Sequence, residues 1–205
     1  FKTDGMTIDE IPMDWLYGDG VVVDLSDEME ELEVYTPEMI EERADIREGD
    51  ILVLHTGWHN YGQYGDEADE EKYILKHPGA HPDMVDYLKE KNIKVWGVDA
   101  VSTDHPMDLP IGRFLGENTF GQCKEVRAQA EEKFGEEKLE ELFPEEDYQL
   151  THNELFPDDI CHMENLGGDI SAPEIQNKRI KIGCFPWKFK GGEAAFARVV
   201  AFLEE

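Results

Sequence analysis

Five short runs of apolar, largely β-branched residues limit what this chain can fold into: "GVVVDL" around Val21, "DILVLHT" around Leu52, "IKVWGVDA" around Val95, "RIKIGCF" around Ile182 and "FARVVAF" around Val199. Apolar runs of strand length predict strands, several of them buried on both faces. The stretches between them carry helical punctuation. In "TPEMIEERADI" Thr36 stands at the N-cap, with Pro37 in the first turn and Glu38 after it. In "HPDMVDYLKEKN" Met84, Val85 and Leu88 form one apolar stripe, and Asn92 is placed to stop the helix. This alternation predicts an α/β domain whose late strands close a mixed sheet.

A length of 205 residues with 40% hydrophobic content suits a single domain around one sizeable core. The 48 acidic residues outnumber 19 basic ones, for a net charge of −29. Such a field repels nucleic acid and anionic membrane, so the expected partners are small molecules and further copies of the chain, as a homodimer or homotetramer. Cys123, Cys161 and Cys184 are odd in number and far apart, which argues against a disulfide framework and for a reducing compartment. No apolar run approaches the roughly 18 residues of a membrane span, so a cytoplasmic protein is expected.

Two stretches interrupt the pattern. Residues 59–76 are polar and rich in Gly, Tyr and acids, which reads as an exposed loop. Within 117–146, "KEVRAQAEEKFGEEKLEELF" reads as a solvated amphipathic helix broken near Gly135. Surface decoration is the plainer reading of that charge, with a lid or an oligomer contact as the functional one. The acidic, largely helical segment is taken as an insertion over residues 107–148.

Three stretches could carry chemistry. His77 and His81 in "HPGAH" have the spacing of a helical zinc pair, but Pro78, Gly79 and Pro82 deny them a continuous helix. His81 therefore reads as a cap and His77 as a loop residue. "VDAVSTDHP" follows a buried strand, where polar residues tend to line a cleft. Its Asp99, Ser102, Asp104 and His105 resemble a catalytic triad on paper only. Ser102 lacks a G-x-S-x-G setting, so turn formation or pocket shaping suits it better. In "THNELFPDDICHMENLGGD", a strand over the central residues would turn His162 and Glu164 to one side, Cys161 and Met163 to the other. With His152 arriving from the preceding segment, that side could hold a metal ion. Two ligands alone leave open a buried glutamate paired with a base or the backbone.

Taken in order, "DGMTIDEIPMDWLYGDGVVVDL", "IREGDILVLHTGW", "HPG", "GVDAVSTDHP", "MENL" and "GGEAAFARVVAF" make this chain similar to the cyclase-like metal-dependent hydrolases that include kynurenine formamidase and isatin hydrolase. The matching motifs span most of the chain, with residues 107–148 matching poorly. The resemblance implies that family's mixed-sheet fold, a swivelling β/β/α-type α/β domain. It also implies a divalent metal, Mn or Zn, held by an upstream His-x-x-x-His-x-Asp motif, a later His, and a Glu twelve residues after it that opens Glu-Asn-Leu. Glu164 opens Glu164-Asn165-Leu166 here, and twelve residues earlier stands His152. By resemblance these two are metal ligands, and His162 has a supporting role.

The resemblance further implies that the upstream motif, with the family's acid/base histidine four residues after its Asp, would immediately precede Phe1. The 205 residues contain no such motif, so they read as one hydrolase domain without its N-terminal segment. Alone, such a chain is expected to bind metal weakly and to be inactive. The activity implied is hydrolysis of a carbon–nitrogen bond in an amide or cyclic amide by metal-activated water, with N-formylkynurenine as one candidate substrate. The alternative is a non-catalytic scaffold. Trp58, Phe185 and Trp187 could wall a ring-bearing substrate, although aromatics serve cores at least as often, and Ser102 could line the pocket. Arg198 matches a position often basic in the family's closing strand.

Overall fold

In the computed structural model, which describes residues 5–65, 67–110, 122–144 and 148–203, the apolar runs become one six-stranded mixed sheet. Strands β1 (Tyr17–Asp24), β3 (Ile51–His55), β5 (Val95–Val98) and β6 (Cys161–Met163) are mutually parallel. Strands β7 (Arg179–Pro186) and β8 (Ala197–Phe202) run antiparallel beyond β1, giving the order β6-β5-β3-β1-β7-β8. Two short strands, β2 (Val34–Tyr35) and β4 (Gly79–Ala80), pair separately.

The parallel strands lack polar alternation because both of their faces are covered. Val21, Val23, Leu52, Leu54, Trp96 and Val98 point to one side. There they meet Ile40 of α1 (Pro37–Arg43), Met84, Val85 and Leu88 of α3 (Met84–Glu90), and Leu155 of α6 (Leu150–Leu155). Val22, Ile51, Val53, Val95 and Met163 point to the other side, against Leu16, Ile170 and Ile175. The predicted caps hold: the Thr36 hydroxyl accepts from Met39 N, and Asn92 takes a positive φ of 50° just past α3. His81 Nδ1 accepts from Asp83 N, the capping role expected of it.

Residues 59–76 differ from the exposed loop their composition suggests. They contain the end of a 3-10 turn over Trp58–Tyr61 and a helix, α2 (Glu70–Leu75), capped by Asp69, whose carboxylate accepts from Lys72 N. Leu75 is buried, and Tyr61, Tyr73 and Ile74 pack partly buried against the cores, so a few apolar and aromatic residues anchor a polar segment. The acid-rich stretch does form a broken helix, α4 (Gln122–Phe134) and α5 (Glu136–Leu142), with Gly135 at φ +81° between them. It is more than decoration: Val126, Ala130, Leu139, Leu142 and Phe143 bury a third cluster with Leu32, Leu75 and Met107. Residues 111–121 and 145–147 of the proposed insertion, and the Cys123 side chain, lie outside the described residues.

Candidate metal centre

Parallel strands end on the same side, so whatever follows them collects along one edge. Here Asp24 ends β1, His55 ends β3, Asp99 follows β5 and Glu164 follows β6. Strand β6 alternates as the sequence predicts. Cys161 and Met163 enter the second cluster, while His162 turns the other way and meets Trp96 edge-on at 5.3 Å between ring centroids.

His152 projects from α6 toward this edge. Its Nδ1 donates to Asp104 Oδ2 at 2.6 Å, and Asp104 Oδ1 accepts from Thr151 N at 2.7 Å. A buried carboxylate on Nδ1 fixes the tautomer and turns Nε2 outward, the usual way a metal-binding imidazole is held. That Nε2 lies 3.5 Å from Glu164 Oε1. Glu164 is steadied in turn by Thr103 N at 3.1 Å and by the Ser102 side chain. His162 shares Nδ1 with the Thr103 hydroxyl at 3.2 Å, and its buried Nε2 has no partner among the described residues. Donor atoms of His152, His162 and Glu164 all lie within 4.8 Å of one another. Two imidazoles and a carboxylate at that spacing fit a divalent ion of borderline softness.

The charges respond to this setting. Burial lowers the His152 pKa, but the Asp104 hydrogen bond and charge, aided by Glu164, outweigh it and raise the pKa overall. Burial raises that of Glu164 against the pull of His152, Thr103 and Ser102. Burial and the His152 charge push His162 well below its usual value, so its ring stays neutral. Tyr73 of α2 closes one side. Its hydroxyl donates to Asn165 Oδ1 at 2.9 Å, and burial together with the Asp99 and Glu164 charges lifts its pKa to about 12.

Other sequence expectations are placed as follows. Ser102 is buried beside Glu164, and its hydroxyl accepts from Asp104 N in a turn. No triad forms, because His105 accepts from Met107 N at Nδ1 and donates to Leu32 O through Nε2. Trp58 is enclosed in the main core, 2% exposed. Trp187 follows β7, four strands or about 19 Å across the sheet from β6, and is 74% exposed. The structure therefore places the Trp187 indole away from His152 and Glu164. A cavity of about 610 Å³ lies elsewhere, lined by Val22, Val53, Ile182, Arg198 and Val199. It gathers no imidazoles, so the donor geometry, not the volume, marks the chemistry. Sequence reasoning missed Tyr73, which it had placed in a loop, and gave Asp104 no part in holding His152. The position of Asp104, following a buried strand, was the one available signal.

The model of the Cyclase family matches residues 1–105, just over half of the 205. The chain belongs to the Cyclase family. No curated protein matches it. Among solved structures, this Cyclase-family chain is similar to an isatin hydrolase bound to the product analogue thioisatinate, at 22% identity and a TM-score of 0.64, with 100% of this chain and 66% of that one covered. A potential metal-dependent hydrolase with cyclase activity gives 21% identity and a TM-score of 0.61, covering 100% and 74%. Isatin hydrolase A from Labrenzia aggregata, bound to benzyl benzoate, gives 19% and 0.61, covering 97% and 66%. These similarities establish the cyclase-type α/β fold. The chain spans 66% of the length of each isatin hydrolase.

Proposed function

We propose that this protein is a metal-dependent hydrolase of a carbon–nitrogen bond in an amide or cyclic amide, of the kynurenine formamidase kind, with His152 and Glu164 as ligands to Mn or Zn. One observation carries the reading: Asp104 holds His152 by Nδ1 while its Nε2 faces Glu164 across 3.5 Å. Family membership and the isatin hydrolase neighbours support the same chemistry. When bound, the metal supplies Lewis acidity toward a carbonyl and toward water.

The chain's own residues prepare that site. Asp104 holds the proton on His152 Nδ1, so that in the neutral ring Nε2 presents its lone pair. Thr103 N–H and Ser102 fix the direction of the Glu164 carboxylate. The Thr103 hydroxyl also meets Thr151 Oγ1 at 2.9 Å, which ties β5, β6 and α6 together behind the donors. Tyr73 keeps its proton to high pH and places Asn165, limiting access from the α2 side.

Metal analysis of the protein loaded with Mn2+ or Zn2+ tests this. His152→Ala and Glu164→Ala are each expected to lower affinity more than tenfold, whereas His81→Ala leaves it unchanged. Hydrolysis of isatin and N-formylkynurenine is then followed by absorbance with each metal. Unaltered metal content in both the His152 and Glu164 variants would sink the assignment.

A further inference from the structure

A second cluster sits on the same strand edge and plays no part in the proposed reaction. Donor atoms of His55, His59 and Asp99 lie within 4.8 Å of one another, and the two imidazole rings are 5.3 Å apart. His55 Nδ1 faces Asp24 Oδ1 at 2.9 Å, as His152 Nδ1 faces Asp104, and so can present its Nε2. His59 differs: its Nδ1 lies 2.9 Å from Asp99 Oδ2, a separation at which both atoms can hold one ion while the ring proton sits on Nε2.

The tautomers follow from proton accounting. Asp24 Oδ1 accepts from Ser26 N at 3.1 Å and from the Ser26 hydroxyl at 2.7 Å. An oxygen that acts as acceptor to both Ser26 donors also accepts from His55 Nδ1. Gln176 Nε2 lies 2.7 Å from that nitrogen, and exchanging the amide's oxygen and nitrogen lets it share the same proton. His55 Nε2 is thereby left as a bare lone pair. It is buried, with no hydrogen-bond partner among the described residues, on a side chain only 5% exposed. A bare imidazole nitrogen so enclosed is costly unless something accepts its lone pair.

Asp99 is fully buried and well braced. Its Oδ1 accepts from Thr56 N at 2.8 Å and from the Thr56 hydroxyl at 2.5 Å, which leaves Oδ2 turned toward His59. His59 is the more accessible member, its side chain 15% exposed, and so provides the entry side.

We infer that His55, His59 and Asp99 form a second binding site for a divalent transition-metal ion, best matched by Zn2+, distinct in its ligands from the centre at His152 and Glu164. Two imidazoles with one carboxylate select such ions over Mg2+ or Ca2+, which prefer oxygen alone. A bound ion would link the end of β3 to the end of β5 beside the centre.

The test uses Zn2+ itself, by equilibrium dialysis and calorimetry on the 205-residue chain. The His152→Ala/Glu164→Ala double variant isolates this site and is expected to keep one equivalent of Zn2+ and a Zn2+-dependent rise in melting temperature. Adding His59→Gln, a change at a partly exposed position, should weaken binding at least tenfold and remove the rise, with the circular dichroism spectrum unchanged. His55→Gln in the same background should do the same. Co2+ in place of Zn2+ gives a visible spectrum that persists in the double variant and disappears with His59→Gln. The inference is overturned if the double variant binds no Zn2+, or if His59→Gln leaves affinity and the Co2+ spectrum unchanged. Failure of the proposed hydrolase reading would appear separately, as normal metal content at the first centre in the single His152 and Glu164 variants.

Discussion

The parallel half of the sheet and its antiparallel extension are built from similar apolar runs, yet only the first positions chemistry. Strands β1, β3, β5 and β6 end together, so Asp24, His55, Asp99 and Glu164 leave the sheet along one edge. In β7 and β8 successive ends point in opposite directions, and no imidazole gathers there. Burial follows the same division. Ile51 to His55 are all buried, whereas Arg198 and Phe202 of β8 are exposed and Phe196, just before it, is 88% exposed. Strand direction, more than strand composition, decides where polar groups can converge.

The largest expected effect of a substitution tests the tightness of the parallel half. A Cβ at Gly97 of β5 would stand 2.4 Å from Met163 O and 2.5 Å from Met163 Cβ, both in the neighbouring strand. Gly97→Ala should cost about 3 kcal/mol in denaturant unfolding, because strand β6 itself must move. At Gly183 of β7 the new Cβ would meet the half-buried Phe185 ring, which can swing aside, so Gly183→Ala should cost less than about 1 kcal/mol. Equal losses at the two glycines would break the comparison.

An acid effect, read against pH and not by substitution alone, arises beside the parallel strands. Burial holds His77 near a pKa of about 4 and His105 near about 3, the latter stacked on Phe143 at 4.5 Å. Between those values and 6.5 the unfolded chain binds protons that the folded chain does not. Stability is therefore complete above about pH 6.5 and is lost as pH falls toward 3, by about 1.4 kcal/mol per unit for each histidine. Thermal melting of the metal-free protein from pH 7 to 4 should show this decline. His105→Gln, which cannot titrate, should flatten it, and an unchanged slope would remove His105 as a source.

Smaller again is the effect of a partner behind the candidate metal centre. Asp104→Asn leaves His152 in place but takes away the charge on its Nδ1, so Mn2+ or Zn2+ affinity should fall 10- to 100-fold. In the metal-free variant, an NMR titration should place the His152 pKa below that of the parent. The smallest effect belongs to the antiparallel edge. Phe196→Ser should change stability by less than about 0.5 kcal/mol, and a larger loss would mean that this ring is covered in solution.

Much of the fold was legible because local rules agreed with one another. Apolar runs without alternation mark strands covered on both faces, Thr36-Pro37 opens α1, and Asn92 stops α3. Residues 59–76 were misread because a helix as short as α2 shows little periodicity, and only Tyr73, Ile74 and Leu75 anchor it. The amphipathic pattern of α4 and α5 was visible, but nothing local shows what an apolar face covers. Here it covers Leu32, Leu75 and Met107.

By itself the sequence determined the strands, the main helices and the strand parity that turns His162 and Glu164 to one side. Through its resemblance to a family, it also marked the pair His152 and Glu164. Only the tertiary structure decided that Asp104 would hold His152, that Tyr73 would close the site, and that His55, His59 and Asp99 would meet. The physical reason is that a hydrogen bond such as His152 to Asp104 spans 48 residues. Such contacts depend on which strands lie side by side and in which direction, and no local periodicity encodes that.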